Sequence, residues 1–194
     1  MIRENKILDM RQEGLEEKYS SIYGDHVFIG RQCVEFVMED IYPPMVRVML
    51  PRQFMDMPAT LAKQKYPSEY RPTVIKTSPD LSINFAFQYF EERVPEKELM
   101  QGARYFYGTL QKCYPGYDYL DFSQGCRKDD ESHKLVWYIY SNPTITDTVV
   151  NIHAFTIVEE RLLQGIFNAP EMVFAWWKPY ALEVFESITS GRTV

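Results

Sequence analysis

The sequence lacks the features of secreted and membrane-spanning proteins. Its three cysteines, Cys33, Cys113 and Cys126, lie far apart and form no CxxC pair, which argues against a disulfide framework. No apolar run is long enough to cross a bilayer, and the polar N-terminus has no signal-peptide apolar region. These absences predict a protein of the reducing cytoplasm without membrane insertion.

Runs of basic residues and glycine-rich phosphate loops are also missing. The formal net charge is -6, and lysines and arginines are scattered along the chain. An acidic surface repels phosphate backbones, so we expect no nucleic-acid partner. The 9 glycines are dispersed and form neither a GxGxxG nor a Walker pattern. The sequence therefore predicts no cofactor of the nucleotide class, and nothing in it indicates a cofactor of another kind.

No catalytic or metal-binding constellation stands out. There is no GxSxG elbow, and the three histidines are isolated in sequence. His153 shares a strand face with Asn151 and is interpreted as a hydrogen-bonded strand histidine, with a convergent tertiary site as the alternative. We therefore assign no catalytic and no metal-binding residue, and an enzyme is not the favoured interpretation.

Aromatic residues, in contrast, are abundant: 14 Tyr, 12 Phe and 3 Trp. One interpretation is an aromatic core with tyrosines at its margin, since tyrosine combines a large apolar ring with a polar end. The other is that part of the surplus lines a protein-binding face, where aromatic residues are enriched.

Alternating apolar residues predict most of the chain as strands. The clearest strand covers residues 82–90, where four apolar side chains share one face. A turn or a bulge is expected at residues 30–32, and a tight turn at Glu159 and Glu160. The other predicted strands lie within residues 26–38, 45–50, 73–77, 117–122, 134–140, 148–158 and 161–167.

Three helices are predicted. The first begins near Met55 with Asp56 as its cap and ends before Pro67. The second begins at Pro95, and its buried stripe is predicted to contain Leu99, Ala103, Phe106, Leu110 and Cys113. The last runs from Pro170 to about Ile188, with Trp177 facing the core and Pro179 causing a kink or a shifted start.

This order of elements predicts the fold class α+β, an antiparallel sheet flanked by helices. We expect a single domain over residues 26–190, preceded by an N-terminal arm or short helix over residues 1–25.

Three places are candidates for a protein interface. The Pro-rigid string of residues 65–72 is either an ordered loop or a recognition loop. Trp176 lies next to the core position Trp177 and is therefore expected outside, as an interface anchor. A sheet face carrying Val136 is the third candidate. The candidate interface residues are Trp176, Tyr138, Tyr140, Tyr66, Tyr70 and Arg71.

Three features of the sequence resemble the PsbP-like superfamily. They are the segment Arg47-Val48-Met49-Leu50-Pro51-Arg52-Gln53-Phe54, the strand over 82–90 with the helix after it, and the helix that ends at Ile188. That group includes a photosystem-II extrinsic subunit, a Ran-binding release factor and Eag-type secretion chaperones. The resemblance covers residues 47–188 and implies an α/β/α sandwich used as a binding scaffold. It carries over no catalytic residue, and the string 65–72 has no counterpart in it.

The expected function is a non-enzymatic protein-binding module, an adaptor or a secretion-type chaperone, with a protein partner and a homodimer as expected assemblies. Two alternatives stay open at this point. One is a small-ligand-binding protein or enzyme with an aromatic-lined pocket. The other is a structural subunit of a homo-oligomer.

Overall fold

In the computed structural model, which describes residues 20–69, 71–145 and 147–191, a seven-stranded antiparallel sheet runs through the molecule. Its strand order is β5-β6-β7-β11-β10-β9-β8, so the sheet's last four strands along the chain, β8 to β11, form a meander. The strands are β5 (Met55–Asp56), β6 (Val74–Thr77), β7 (Asn84–Arg93), β8 (Asp118–Cys126), β9 (Lys134–Pro143), β10 (Thr148–Val158) and β11 (Arg161–Pro170).

The β10–β11 hairpin fixes the register of the sheet centre. Its two turn residues, Glu159 and Glu160, have φ angles of 50° and 63°. Positive φ at both central residues is the geometry of a two-residue turn that matches the twist of the flanking strands. The tight turn predicted there is confirmed. Ten residue pairs then follow between the strands, from Val158 opposite Arg161 to Val149 opposite Pro170.

Two smaller sheets flank the large one. The first is a hairpin of β1 (Val27–Ile29) and β2 (Gln32–Val34), which turns at Gly30 with a φ of 62°. The predicted turn between two short strands is thus the correct alternative. The second sheet has the order β12-β4-β3, made of β3 (Phe36–Tyr42), β4 (Val46–Pro51) and β12 (Thr189–Ser190).

One face of the large sheet carries the main core. Helix α3 (Glu171–Glu186) covers this face and buries Trp177, as predicted, while Pro179 lies inside the helix without displacing its start. Phe85 and Phe167 on the sheet lie 4.9 Å apart between ring centroids, and Phe185 of the helix packs edge-on against Phe85. Gly165 lets the helix approach, because a Cβ there would lie 2.5 Å from the Phe185 ring.

The opposite face is covered only in part. Helix α2 (Leu99–Cys113), preceded by a 3₁₀ turn (Glu96–Glu98), packs on β9 and β10. The short helix α1 (Ala59–Lys65) packs at the other side of this face, over Ile75, Ala86 and Ile166.

Two predictions on this face are wrong. Asp56 does not cap α1: it belongs to β5 and pairs with Lys76 at 3.1 Å, and α1 begins after Pro58. Cys113 does not face the core but is exposed. Of the predicted stripe, Leu99 and Ala103 are fully buried. The C-terminal half of α2 extends towards the open part of the sheet.

A buried arginine fastens the loop between β8 and β9. Arg127 is only 4% exposed and donates through Nε and Nη2 to the two carboxylate oxygens of Asp129, at 2.9 and 2.8 Å. Its Nη1 donates to the carbonyl of Ile157 at 2.8 Å. Such a fork-to-carboxylate pair compensates a charge that would otherwise be costly to bury.

The N-terminal arm predicted over residues 1–25 lies mostly outside the described residues. Its described end is held against α3. Ser21 Oγ and the backbone N–H of Ile22 donate to the two oxygens of Glu183, at 3.0 and 2.9 Å, and Ile22 is fully buried. Within the described ranges, no helix combines the length and the apolar character needed to cross a bilayer.

Candidate functional site

Between α1 and α2, the second face of the sheet is left open as a cleft of about 630 Å³. The turn after α1 forms one wall, and the C-terminal end of α2 with Tyr114 and Tyr117 forms the other. Side chains of β7, β9, β10 and β11 form the floor. We call it the asparagine cleft, after the floor residues Asn84, Asn142, Asn151 and Asn168.

Strand register places three of these asparagines in one row. Asn151 lies opposite Asn168, and Asn168 lies opposite Asn84, on three neighbouring strands. Residues directly opposite on one face have neighbouring side chains, so their amides can bond to one another. Asn84 Nδ2 donates to Asn168 Oδ1 at 2.6 Å, and Asn168 Nδ2 donates to the Tyr66 hydroxyl at 2.7 Å. The row thereby ties the turn after α1 to the sheet.

The row also has unused hydrogen-bonding capacity. Asn84 is 1% exposed, yet its Oδ1 accepts no hydrogen bond from any described residue. Asn151 Nδ2 donates to Asn142 Oδ1 at 2.8 Å, which leaves the amide hydrogens of Asn142 directed elsewhere. A buried polar atom without a partner is uncommon in folded proteins and indicates a missing ligand, water or strain.

One step along β10, His153 lies on the same face beneath the cleft. Its Nδ1 lies 3.2 Å from the Tyr138 hydroxyl and 3.3 Å from Gln164 Nε2, and its Nε2 lies 3.1 Å from the Tyr140 hydroxyl. Burial lowers the pKa of His153 to about 3, so the ring is neutral at physiological pH. Gln164 Nε2 can only donate, so His153 Nδ1 accepts this hydrogen bond. We therefore assign the imidazole proton to Nε2.

This assignment orients the Tyr140 hydroxyl. If His153 Nε2–H donates to the hydroxyl oxygen, the hydroxyl hydrogen is free to donate to a group in the cleft. Burial raises the pKa values of both Tyr138 and Tyr140, so both hydroxyls keep their protons. Tyr140 is thus a fixed hydrogen-bond donor at the cleft floor.

Three tyrosine rings stack along one wall. The rings of Tyr114 and Tyr117 are 4.9 Å apart at 9°, and those of Tyr117 and Tyr140 are 5.6 Å apart at 4°. Stacked rings hold each other in place, and each presents an apolar edge with a polar tip. Tyr114 is half exposed at the outer end of the stack.

Among the described residues, the charged side chains that line the cleft are both cations. Lys65 and Arg71 line it, and no described Asp or Glu side chain does. Arg71 Nη1 donates to the Tyr66 carbonyl at 3.2 Å, and Lys65 Nζ donates to the carbonyl of Leu81. Burial lowers the pKa of Lys65.

The structure brings together three of the six candidate interface residues. Tyr66, Arg71 and Tyr140 all line the asparagine cleft. Tyr138 lies beneath α2 and is 2% exposed. The expectation that the face with Val136 and Tyr138 is open to a partner is therefore wrong, because an amphipathic helix covers it. Tyr70 lies outside the described residues.

Trp176 lies on the opposite side of the molecule. It is 46% exposed, as the helical pattern predicted, and its indole packs on the turn of the β1–β2 hairpin. A Cβ at Gly30 would lie 2.9 Å from Trp176 Cε3, so the ring lies flat against the backbone. Met172, one turn earlier on α3, is also exposed. An interface at Trp176 stays a prediction.

Metal-ligand groups and cysteines are also candidate sites in the sequence, and the structure shows where they lie. In the parts of the chain that the structure describes, no group of three or more His, Cys, Asp or Glu side chains is arranged to hold a metal ion. The three cysteines are free and exposed, and none lines the cleft. The interpretation of His153 as a hydrogen-bonded strand histidine is confirmed, because its ring contacts Tyr138, Tyr140 and Gln164.

The four asparagines of the cleft floor form no motif in the sequence. Each of them lies on a different strand, so only the pairing register of the strands brings them together. A signal was present: Asn84 and Asn151 occupy positions that face the second side of well-formed strands, where apolar residues are the rule for a covered face.

Comparison with solved structures finds the same fold in the solution structure of cyanobacterial PsbP (CyanoP) from Synechocystis sp. PCC 6803. The two chains are 9% identical, and the match covers 82% of this chain and 94% of that chain with a TM-score of 0.57. A crystal structure from Bacteroides thetaiotaomicron matches at 13% identity over 79% of this chain and 48% of its own, with a TM-score of 0.48.

No family model matches the sequence, and no curated protein matches it either. At such low identity the likeness to CyanoP concerns the fold and not the activity. It agrees with the architecture described above, an antiparallel sheet with helices on both faces. The chain therefore has a PsbP-like fold.

Proposed function

We propose that this chain is a non-enzymatic protein-binding module that holds an extended segment of a partner protein in the asparagine cleft. The observation that carries the proposal is the convergence of Tyr66, Arg71 and Tyr140 on a floor of asparagine amides with unused hydrogen-bonding capacity. The resemblance to a superfamily of binding scaffolds supports the same class of function.

Asparagine side chains suit the backbone of an extended segment. A peptide unit offers one N–H donor and one C=O acceptor, and an amide side chain offers the complementary pair. Asn84 Oδ1 is buried and has no partner among the described residues, and no described residue bonds to Asn151 Oδ1 or to the amide hydrogens of Asn142. A segment in the cleft can satisfy them through main-chain groups, which gives affinity without a strict sequence requirement.

The wall of the cleft suits side chains of a partner. Tyr114, Tyr117 and Tyr140 form a stack whose geometry is fixed before binding. Rigid tyrosines lose little conformational entropy when they make a contact, which is one reason why they are enriched in binding surfaces. The same rings would contact apolar side chains on alternate positions of the segment.

The chemistry of the lining favours binding over a reaction. A general base needs a pKa near the working pH, whereas His153 is neutral with a pKa of about 3. The Tyr66 hydroxyl keeps its proton, because burial raises its pKa to about 12. Neither group is suited to transfer protons in neutral solution.

Site-specific photo-crosslinking in the native cell tests the proposal. A benzophenone amino acid replaces Tyr114, in the cleft wall, and in a control variant replaces Tyr105, which is exposed on α2 outside the cleft. We expect a discrete adduct from Tyr114 that maps to one stretch of a partner protein, and no adduct from Tyr105. Equal labelling at both positions, or none at Tyr114, would contradict a partner in the cleft.

A third variant at Trp176 tests the other candidate surface in the same experiment. An adduct there with the same partner would extend the interface around α3, and an adduct with a second copy of the chain would support a homodimer. The adaptor or secretion-chaperone role, in the cytoplasm, is part of the proposal, and the identity of the crosslinked partner tests it.

A small-ligand-binding protein is the second candidate. The observation in its favour is the cleft volume of about 630 Å³, which lies within the range of small-molecule sites. Thermal-shift screening of metabolites tests it, and a chain that no metabolite stabilises would argue against it.

A further inference from the structure

Several groups that line the asparagine cleft have hydrogen-bond donors that no described residue uses. Arg71 has five guanidinium N–H groups, and it uses one for the Tyr66 carbonyl. With the imidazole proton of His153 assigned to Nε2, the Tyr140 hydroxyl hydrogen is available to the cleft, and no described residue accepts from the amide hydrogens of Asn142. The buried Oδ1 atom of Asn84 is an acceptor without a described partner.

The unused donors lie beside two cations, and burial lowers the pKa of one of them, Lys65, more than the nearby charge of Asp80 raises it. Lys65 and Arg71 lie on the same side of the cleft, and no carboxylate of the described residues lines it. The surrounding protein is acidic, with a formal net charge of -6. On this otherwise negative surface, Lys65 and Arg71 make the cleft a place where the local potential attracts an anionic group.

We propose that the Lys65–Arg71 side of the asparagine cleft is a carboxylate-binding subsite. The carboxylate accepts charge-assisted hydrogen bonds from the Arg71 fork and from the Lys65 ammonium, while the asparagine amides bind the uncharged part of the ligand. The inference deepens the proposed function and rests on it for the source of the group: the carboxylate is carried either by the partner segment or by a free small carboxylic acid.

A singly charged group fits better than a phosphate dianion. The lining contains the C-terminal end of α1, at Lys65, and the C-terminal end of α2, near Leu110 and Tyr114. Helix C-termini carry partial negative charge and no free N–H groups, so neither helix adds anion-binding capacity. The partial negative charge of the two helix ends offsets part of the charge of Lys65 and Arg71, so the site attracts a singly charged carboxylate but holds too little positive charge for a dianion.

The test compares matched ligands by NMR titration of the full-length chain. The first pair is butyrate and butyramide, which differ by a single charge and have nearly the same shape. The second pair is a blocked glycine pentapeptide with a central aspartate and its asparagine counterpart. We expect the charged member of at least one pair to bind about tenfold more tightly, and to weaken as the salt concentration rises.

Variants locate the subsite. Arg71→Gln and Lys65→Gln should each weaken the charged ligand by about tenfold and leave the neutral ligand unchanged. Lys63→Gln is the control, since it removes the same charge from the same helix at a position outside the cleft lining. Thermal denaturation of each variant shows whether it is folded, and the two independent substitutions keep the test valid if one of them fails to fold.

The outcomes separate the subsite from the proposed function. Binding of butyrate but of neither peptide supports the subsite and contradicts a partner segment in the cleft. Equal binding of both peptides, together with equal binding of butyrate and butyramide, supports the partner segment and overturns the carboxylate inference. Three results would each overturn the subsite. They are equal binding of charged and neutral ligands, wild-type affinity in both cleft variants, and an equal loss of affinity for the charged ligand in Lys63→Gln.

Discussion

Gly165→Ala tests how closely α3 is packed on the large sheet. Gly165 lies in β11, directly below Phe185 of the helix, and both belong to the main core face. The new methyl group would lie 2.5 Å from Phe185 Cε1 and 2.8 Å from Cδ1. Carbon atoms in contact are about 3.5–4.0 Å apart, so the ring has to move by about 1 Å.

The size of the effect follows from what surrounds the ring. Phe185 is fully buried and packs edge-on against Phe85 and Phe87, at centroid distances of 6.0 and 6.4 Å. It therefore has no free space to move into, and inserting a methylene into such a core costs about 1–3 kcal/mol. For a chain of this length, a loss of about 2 kcal/mol lowers the melting temperature by about 4–8 °C.

Urea denaturation and calorimetry measure the loss, and Gly108→Ala is the matched control. Gly108 lies inside α2, and a Cβ there meets nothing within 4 Å. The same substitution should therefore stabilise the protein there by about 0.5–1 kcal/mol, because alanine favours a helix. In a double-mutant cycle, Phe185→Leu should recover about 1 kcal/mol of the Gly165→Ala loss. A neutral Gly165→Ala, or additive losses in the cycle, would refute this account of the packing.

Three further predictions concern polar contacts. The free energy of unfolding should fall by about 2 kcal/mol between pH 6.5 and 4.5, because unfolded His153 takes up a proton that the folded ring, with a pKa of about 3, does not. In His153→Gln the urea midpoint should depend less on pH in this window. An unchanged pH dependence would contradict the burial of the ring. Tyr66→Phe leaves Asn168 Nδ2 without its acceptor and should cost about 1–2 kcal/mol, with faster hydrogen exchange in α1; unchanged exchange would show that the bond does not hold the helix. Asp129→Ala leaves the Arg127 guanidinium buried without compensation and should cost about 3 kcal/mol in chemical denaturation, while a loss below about 1 kcal/mol would mean that water reaches the arginine.

Much of the fold is predictable because local rules and global packing agree in it. The strand over residues 148–158 was predicted with the bounds of β10, since alternation and turn residues both mark its ends. Trp177 was placed in the core and Trp176 outside it from helical spacing alone. At these positions the pattern of one element is sufficient.

The errors occur where a partner distant in sequence decides the outcome. Asp56 has the chemistry of a helix cap, but Lys76 on the neighbouring strand binds it instead. Cys113 continues the apolar stripe of α2, but the helix has by then left the covered part of the sheet. Helical spacing predicts which residues share a face, and it does not predict how far the neighbouring layer extends.

The candidate site is less predictable than the fold. The string of residues 65–72 was identified as unusual, and Tyr66 and Arg71 do line the cleft. The floor depends on two strand pairings that bring Asn84, Asn151 and Asn168 into one row. A shift of one residue in any pairing would turn a side chain to the opposite face, so the row cannot be inferred without the register.

The two faces of the large sheet differ in what a substitution costs. Residues such as Phe167 point to α3 and belong to the tightly packed core, whereas Asn168, the next residue along β11, points to the cleft. Because successive strand residues alternate between the faces, the lining of the cleft can change during evolution or by design while every core side chain stays in place. We therefore expect proteins with this fold to keep the α3 side in common and to differ in the cleft, so that one stable scaffold accommodates different ligands.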